Sequence, residues 1–420
     1  MKKRLFISIF YLVISSPLLF AQENTEEIER KIEVLAEEIE RIKIGEALVT
    51  ADKSQLGFGP AASKIYRTER GVSIGGYGEV VYFNYASEKD DGSEGGKIDM
   101  SDALRAIIYV GYKFNSKWLL NTEFEFEHGS SGASGSVSAE FVHLEYTHSP
   151  AFNMRFGLLL LPVGLVNEMH EPTVYIGANR PDVEKYIMPS TWRENGFGIY
   201  GNTKLLSYRA YIVNGLKGAK FASKGLRGGR QKGSKALTEH FALTGRVDFT
   251  PRPGLILGGS FYAGNSGNGL LNGSKKLGVS TNILEGHIDI RRSGFWISLL
   301  AAQAKIGDVT GLNQALGLTG NKSVGETLNG FYLQAGYDLL HRSGYGEKSL
   351  MPYMRYEKVN TQASVPSGYN LDPSKNMSSM TLGVAYSPEP RIVFKADYKN
   401  ANNKAGTGLD QTSLQVGYVF

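Results

Sequence analysis

The chain contains no cysteine among its 420 residues. That excludes disulfide staples, thiolate metal sites and a lipid-modified cysteine, and in an exported protein it fits the bacterial envelope. Long hydrophobic runs are almost as scarce. One apolar stretch, Leu5 to Phe20, follows Lys2, Lys3 and Arg4, and no later run is long enough for a membrane-spanning helix. Charge of one sign is missing too: 46 basic residues meet 41 acidic ones, too mild an excess to name a partner. There is no phosphate-cradling P-loop and no Gly-x-Ser-x-Gly elbow, and the seven histidines are scattered. The residues therefore mark no enzyme, and no metal or cofactor is expected.

What remains is distinctive at the N-terminus. A basic head, a short apolar core and Ala21 before polar Gln22-Glu23 read as a secretory signal peptide over residues 1–21. Leu19 is larger than usual three positions before the cut, and a retained anchor is the alternative, which the shortness of the run opposes. Residues 22–49 read as a periplasmic helix. Ile28, Ile32, Leu35, Ile39 and Ile42 alternate spacings of four and three, a heptad seam whose isoleucines at both core positions favour three or four strands. An amphipathic helix packing on its own domain is the alternative. Residues 50–70, with Gly57, Gly59 and Pro60, read as a linker.

From residue 71 to residue 420 the hydrophobic period switches to two. The 23 tyrosines, 20 phenylalanines and 51 glycines, with a slightly negative mean hydropathy, suit a chain in which only alternate residues meet lipid. Sixteen strand candidates run from Val72–Ser87 to Gln411–Phe420. Short links such as 115–117, 149–151 and 292–294 alternate with long ones at 88–101, 162–195, 215–239 and 306–326. That sorting predicts an all-β fold, a sixteen-stranded antiparallel transmembrane barrel with short turns at the periplasmic end. His341–Lys348 breaks the rule, and longer neighbouring strands would explain it. Pro352 falls inside a predicted strand, where a bulge or a misplaced boundary is expected. Trp118 and Trp296, just after short turns, are expected in an interfacial aromatic girdle. Phe420, with aromatics at two-residue steps before it, matches a barrel-assembly signal. A soluble β-sandwich, the alternative, would leave edges to protect.

The link 162–195, the third at the long-loop end when the link between the third and fourth strands is counted, carries the densest charge. Glu168, His170, Glu171, Arg180, Asp182, Lys185 and Arg193 are candidate liners of a pore constriction, where charge biases which ion enters. The alternative is that they pair with one another and pin the loop to the wall. Basic residues expected on inward faces are Arg105, Lys113, Arg155, Arg209, Arg246 and Arg355, together with Arg291 and Lys395. The same faces hold Glu123, Glu125, Glu127, Glu145, Asp248, Glu285, Asp289 and Glu357, so cross-strand pairing competes with a basic ladder. Between Leu216 and Ala236 the fourth link at the long-loop end holds Lys217, Lys220, Lys224, Arg227 and Arg230 without one acidic residue. It reads as a mobile, anion-attracting mouth or as a surface for lipopolysaccharide and other polyanions.

The blocks FGLLLLPVGLVNEMHEPTVY, NRPDVEKYIMPSTWRENGFGIYG and ALRAIIYVGYKFNSKWLLNTEFEFEHG resemble the phosphate-selective porin family, types O and P. The resemblance spans about Tyr77 to Asn214, and the later half shares only strand rhythm. It implies a homotrimeric outer-membrane anion channel with a periplasmic helical segment. The expected function is therefore passive diffusion of small hydrophilic solutes, biased to anions such as phosphate, with the outer-membrane lipid and lipopolysaccharide as surroundings. An adhesin using its basic loops, and a barrel hydrolase, are the alternatives.

Overall fold

In the computed structural model the described residues are 27–36, 51, 53–130, 132 and 134–420. The expected signal peptide, and Ile39 and Ile42 of the heptad seam, lie outside them. The chain divides into two units, Met1–Val49 and Thr50–Phe420. In the first, residues 27–36 form helix α1. Glu27 and Lys31 pair across one turn at 2.8 Å, and Ile28, Ile32 and Leu35 are exposed.

In the second unit the period-two stretches become β1 Gly71–Tyr85, β2 Met100–Lys113, β3 Trp118–Glu127, β4 Ser136–Ser149, β5 Phe152–Leu160, β6 Arg193–Asn202, β7 Leu206–Asn214 and β8 Phe241–Arg252. They continue with β9 Leu255–Asn265, β10 Ser280–Arg292, β11 Phe295–Ile306, β12 Thr327–Tyr337, β13 Ser349–Ser364, β14 Asn376–Glu389, β15 Ile392–Asn403 and β16 Gln411–Val419. Each pairs antiparallel with its sequence neighbours, and β1 pairs with β16 to close the barrel. Closure removes every sheet edge, which an isolated sheet in lipid could not satisfy. Phe420 finishes the seam by exchanging backbone hydrogen bonds with Gly76 at 2.9 and 3.1 Å.

Alternation sets the two faces. On β3, Trp118, Phe124 and Phe126 point outward while Leu119, Asn121, Glu123 and Glu125 are buried inside. On β16, Leu414, Val416 and Tyr418 face out, and Ser413, Gln415 and Val419 face in. An apolar outside around a charged inside reverses a soluble protein. In the hydrocarbon region a charge on the outer face would cost about 2–4 kcal/mol.

The ends are unequal, as the spacing predicted. Links 114–117, 150–151, 203–205, 253–254, 293–294 and 390–391 make a short-turn end. Ser293 and Gly294 take φ of 52° and 82°, the primed turn that matches strand twist. Links 86–99, 161–192, 215–240 and 307–326 lie at the other end, the last containing the helix Val309–Ala315. The exception at residues 338–348 is a real loop, since β12 stops at Tyr337 rather than running on. Asp338 fixes it by accepting from the amides of Leu340 and Leu350 at 3.0 and 2.9 Å.

Two strand-level expectations need correcting. Pro352 makes no bulge: its ladder with β14 runs unbroken through Pro352↔Val384, and pairing with β12 starts only at Tyr353↔Gly336. The missing N–H thus sits beside Tyr337, the last residue of β12, and Leu339 N still donates to Leu350 O beyond it at 2.8 Å. Trp296 is not a girdle residue, because its register partner Arg291 faces the lumen. Its indole N–H donates to Asp289 and Ser298, both at 3.1 Å. Phe295 faces outward in its place, 4.6 Å from Tyr337.

Most of the stretch expected to be a linker is packed rather than open. Residues 53–68 lie inside the barrel, where Phe58, Ala61 and Ala62 join a buried cluster with Tyr77, Tyr109 and Phe141. Lys64–Arg67 makes one helical turn. Phe58 lies against the His143 ring at 5.7 Å and under the Arg155 guanidinium at 4.6 Å. Gly57 and Gly59 permit this close approach: a Cβ would sit 2.4 Å from Arg209 at the first and 2.4 Å from Glu171 at the second.

Candidate functional site

The lumen is narrowed by the third long loop, residues 161–192. Its backbone reaches most of the wall. Ala178 N donates to Asp397 at 2.8 Å, and Asp182 N to Glu357 at 2.6 Å. Lys395 caps the carbonyls of Tyr175 and Gly177, at 2.8 and 3.0 Å. A one-turn helix, Val183–Tyr186, packs on β12 and β13. Glu184 in that turn accepts from Val166 N and from Tyr332 Oη, at 2.7 and 2.8 Å. Burial pushes the Glu184 carboxyl up to about 7.

The seven candidate liners separate into two groups. Glu168, His170, Glu171 and Arg193 are buried anchors. Glu168 pairs with Arg209 at 3.2 Å, and Arg193 (on β6 rather than in the loop) with Glu140 at 3.0 Å. His170 Nε2 contacts Glu140 at 2.9 Å and Glu123 at 3.2 Å, while its Nδ1 faces Asn167 O at 2.8 Å. Burial opposes a charged imidazole there, but Glu123 and Glu140 outweigh it and hold His170 up at about 9. Glu171 takes the amides of Ala61 and Ala62, both at 3.0 Å, and so latches the inserted N-terminal segment to the loop. Burial pushes that carboxyl up to about 7. The second group, Arg180, Asp182 and Lys185, faces a cavity on the long-loop side.

That cavity holds about 610 Å³. Seven basic side chains line it (Lys89, Lys97, Arg105, Arg180, Lys185, Arg227 and Lys399) against five acidic ones, Glu79, Glu125, Glu127, Asp182 and Glu357. Lys399 is bound to Asp182, and Arg105 to Glu79. Among the described residues, no carboxylate forms a salt bridge with Arg180, Lys185, Lys97 or Arg227. Lys97 lies over the Tyr85 ring at 4.5 Å and Lys185 over Tyr186 at 5.5 Å. The Arg180 Nη2 atom is buried with no hydrogen-bond partner. On the short-turn side of the loop a second cavity of about 260 Å³ opens, and Tyr175 lines both.

The basic wall residues are inward-facing but spoken for. Arg155 pairs with Glu145 at 3.0 Å, Arg246 with Asp248 at 2.8 Å and Arg355 with Glu357 at 2.5 Å. Lys113 reaches only the Tyr66 carbonyl, at 3.5 Å. These are compensated pairs, not a ladder of free charge.

The fourth long loop is also not a loose mouth. Leu216, Phe221 and Leu226 are buried in the main apolar cluster. Arg227 and Arg230 turn inward and donate to Ser190 O at 2.6 and 2.5 Å, and Arg230 also to Thr191 O at 3.0 Å. Burial lowers both guanidiniums, to about 10 and about 9. Lys220 and Lys224 stay exposed. Sequence reasoning missed Tyr175, Lys97 and Phe58. Only Phe58 had a local signal, an aromatic between two glycines in an otherwise polar stretch.

Among the described residues, Glu123, Glu140 and His170 bring ligand atoms within 4.8 Å of one another, close enough to share a metal ion. His170 pairs with both carboxylates and Arg193 with Glu140, while Glu123 Oε2 is buried without a hydrogen-bond partner.

A closed sixteen-stranded barrel with an apolar exterior and an infolded third loop has the porin fold. An anion-selective porin from Comamonas acidovorans superposes with a TM-score of 0.53 at 13% identity, covering 84% of this chain and 100% of that one. The outer-membrane channel DcaP of Acinetobacter baumannii gives 0.51 at 12%, over 83% and 97%. A loop-deletion mutant of the Vibrio cholerae outer-membrane protein OmpT gives 0.54 at 11%, over 84% and 100%. The chain belongs to the same family as an uncharacterized protein of Aquifex aeolicus (strain VF5), 38% identical over 391 residues, 90% of this chain and 87% of that protein. No family model matches the chain.

Proposed function

We propose that the protein is an outer-membrane channel through which small hydrophilic solutes diffuse passively, with a bias to anions such as phosphate. The observation that carries the reading is the cavity above the third loop, where Arg180, Lys185, Lys97 and Arg227 stand without carboxylate partners. A low-dielectric wall focuses such a field and raises the local concentration of anions. The resemblance to phosphate-selective porins points the same way. So does the likeness to the Comamonas protein, itself an anion-selective porin.

In this reading the short-turn end and residues 22–49 lie in the periplasm, after removal of residues 1–21. Ile28, Ile32 and Leu35, exposed on α1, would be covered by copies of the same helix in a homotrimer. A trimer form is described for the Vibrio OmpT structure. The adhesin alternative is weakened because two arginines of the fourth loop turn inward. Bilayer conductance under a salt gradient, with phosphate competing against chloride, tests the reading. Three-step openings, an anion-side reversal potential and phosphate block are expected. A folded barrel that conducts nothing overturns it.

A further inference from the structure

The second cavity, about 260 Å³, lies beneath the third loop and reaches the short-turn end at Thr250 and Gly254. Its loop-side surface is apolar: Leu165, Val166, Met169, Val174 and Pro181. Trp296 stands in the facing wall, and it is fixed. Asp289 and Ser298 hold its indole N–H, and the Arg291 guanidinium covers its ring at 3.7 Å from the centroid. Tyr332, Gln334 and Arg355 complete that wall. A hydrated inorganic ion gains nothing from such a lining, because leaving water for apolar surface costs it solvation. A solute with an apolar body gains by burying that body.

The same cavity offers hydrogen-bond donors for an anionic end. Arg246, Arg291 and Arg355 line this cavity against one carboxylate, Asp289. Each arginine already has a carboxylate neighbour, yet a guanidinium carries five donors, so N–H groups remain for a further acceptor. A solute arriving from the cationic cavity above passes Tyr175, the residue common to both. The volume is slightly below the about 300–1,000 Å³ of sites for drug-sized ligands, so the body must be small.

We propose that the lower cavity is a subsite for small organic anions with an apolar body, an aromatic or alicyclic carboxylate, in preference to inorganic phosphate. The proposal deepens the channel reading and, as a step in permeation, rests on it. Calorimetric titration of the folded full-length protein with cyclohexanecarboxylate and, in parallel, inorganic phosphate tests it. The organic anion is expected to bind at least tenfold more tightly. Trp296→Ala and Val174→Asn are each expected to weaken its binding at least fivefold while leaving phosphate unchanged; the second leaves the Trp296 hydrogen bonds intact. Equal or tighter binding of phosphate, or variants that leave the organic anion unaffected, overturns the proposal. Chloride conductance of the same preparation reports separately on the channel: a barrel that binds the organic anion but does not conduct retains the subsite and loses the channel.

Discussion

Glu171→Ala is expected to free the inserted N-terminal segment from pH control. The Glu171 carboxyl is buried between the third loop and residues 53–68, and it accepts the Ala61 and Ala62 amides at 3.0 Å each. Burial raises it to about 7, against about 4.3 for an exposed glutamate. A carboxyl raised on docking binds its proton more tightly in the docked state. Its stabilising contribution is therefore complete below about 4.3 and is lost as pH rises through about 7. At about 1.4 kcal/mol per pH unit the span is about 3–4 kcal/mol, several hundredfold in the docking equilibrium. Hydrogen exchange at the Ala61 and Ala62 amides, corrected for intrinsic rates, reads it directly. Protection in the wild type should fall by two orders of magnitude or more between pH 4 and 7. In Glu171→Ala it should be lower at pH 4 and nearly flat. Protection that is independent of pH in the wild type, or a slope that survives the substitution, refutes the reasoning.

Phe58→Ala removes a fully buried ring and should cost about 3–5 kcal/mol of docking; larger single-channel conductance is the readout, as it is for deletion of residues 53–68. Arg227→Ala with Arg230→Ala removes the guanidinium donors to Ser190 O and Thr191 O, about 1.5–3 kcal/mol for each hydrogen bond to a charged group. It should expose residues 215–240 to proteolysis while the strands stay protected. His170, held up at about 9 against about 6.5 when exposed, stabilises the loop fully below about 6.5 and loses that contribution as pH rises through about 9. Thermal melts of wild type should therefore drop across this alkaline window, and those of His170→Asn should not. Brominated lipid should quench Trp118, which is exposed on the outer face, and leave Trp296 unquenched in single-tryptophan variants.

The barrel was legible because membrane strands are written locally. Each needs apolar residues on one face only, and Trp118, Phe124 and Phe126 against Asn121, Glu123 and Glu125 supply that pattern within one strand. Short turns are local too, so Ser293-Gly294 could be read directly. What fills the barrel was not legible, because it depends on contacts across the lumen. Ala61 meets Glu171 from 110 positions away, and Ala178 meets Asp397 from 219. Residues 53–68 lack the strand period and carry glycine and proline, so composition alone returned a linker. Trp296 was misassigned for a different reason: a turn fixes its height in the membrane, but only the register of β11 fixes its face. The fourth loop, rich in glycine and lysine, reads as mobile until Leu216, Phe221 and Leu226 are seen to be buried.

The question of a basic ladder has a physical answer in the spacing of the wall charges. Several inward pairs sit two residues apart on one strand: Arg246 with Asp248, Asp289 with Arg291, and Arg355 with Glu357. Residues i and i+2 share a face of a strand, so each such pair cancels its own field wherever the strand is placed. Breaking either buried pair, Arg246 with Asp248 or Arg355 with Glu357, would leave an uncompensated charge in the lumen, at a cost of about 3–5 kcal/mol. The wall therefore supplies stiffness with little net bias. The cations of the upper cavity that form no salt bridge, Lys89, Lys97, Arg180, Lys185 and Arg227, all come from links between strands, where no i+2 partner is imposed. In the proposed channel the long-range field that gathers anions at the entrance comes from those loop residues. Neutralising Arg180 and Lys185 together should move the reversal potential toward the cation side, whereas neutralising Arg246 should chiefly destabilise the fold. The opposite pattern would place selectivity in the wall and contradict the pairing argument.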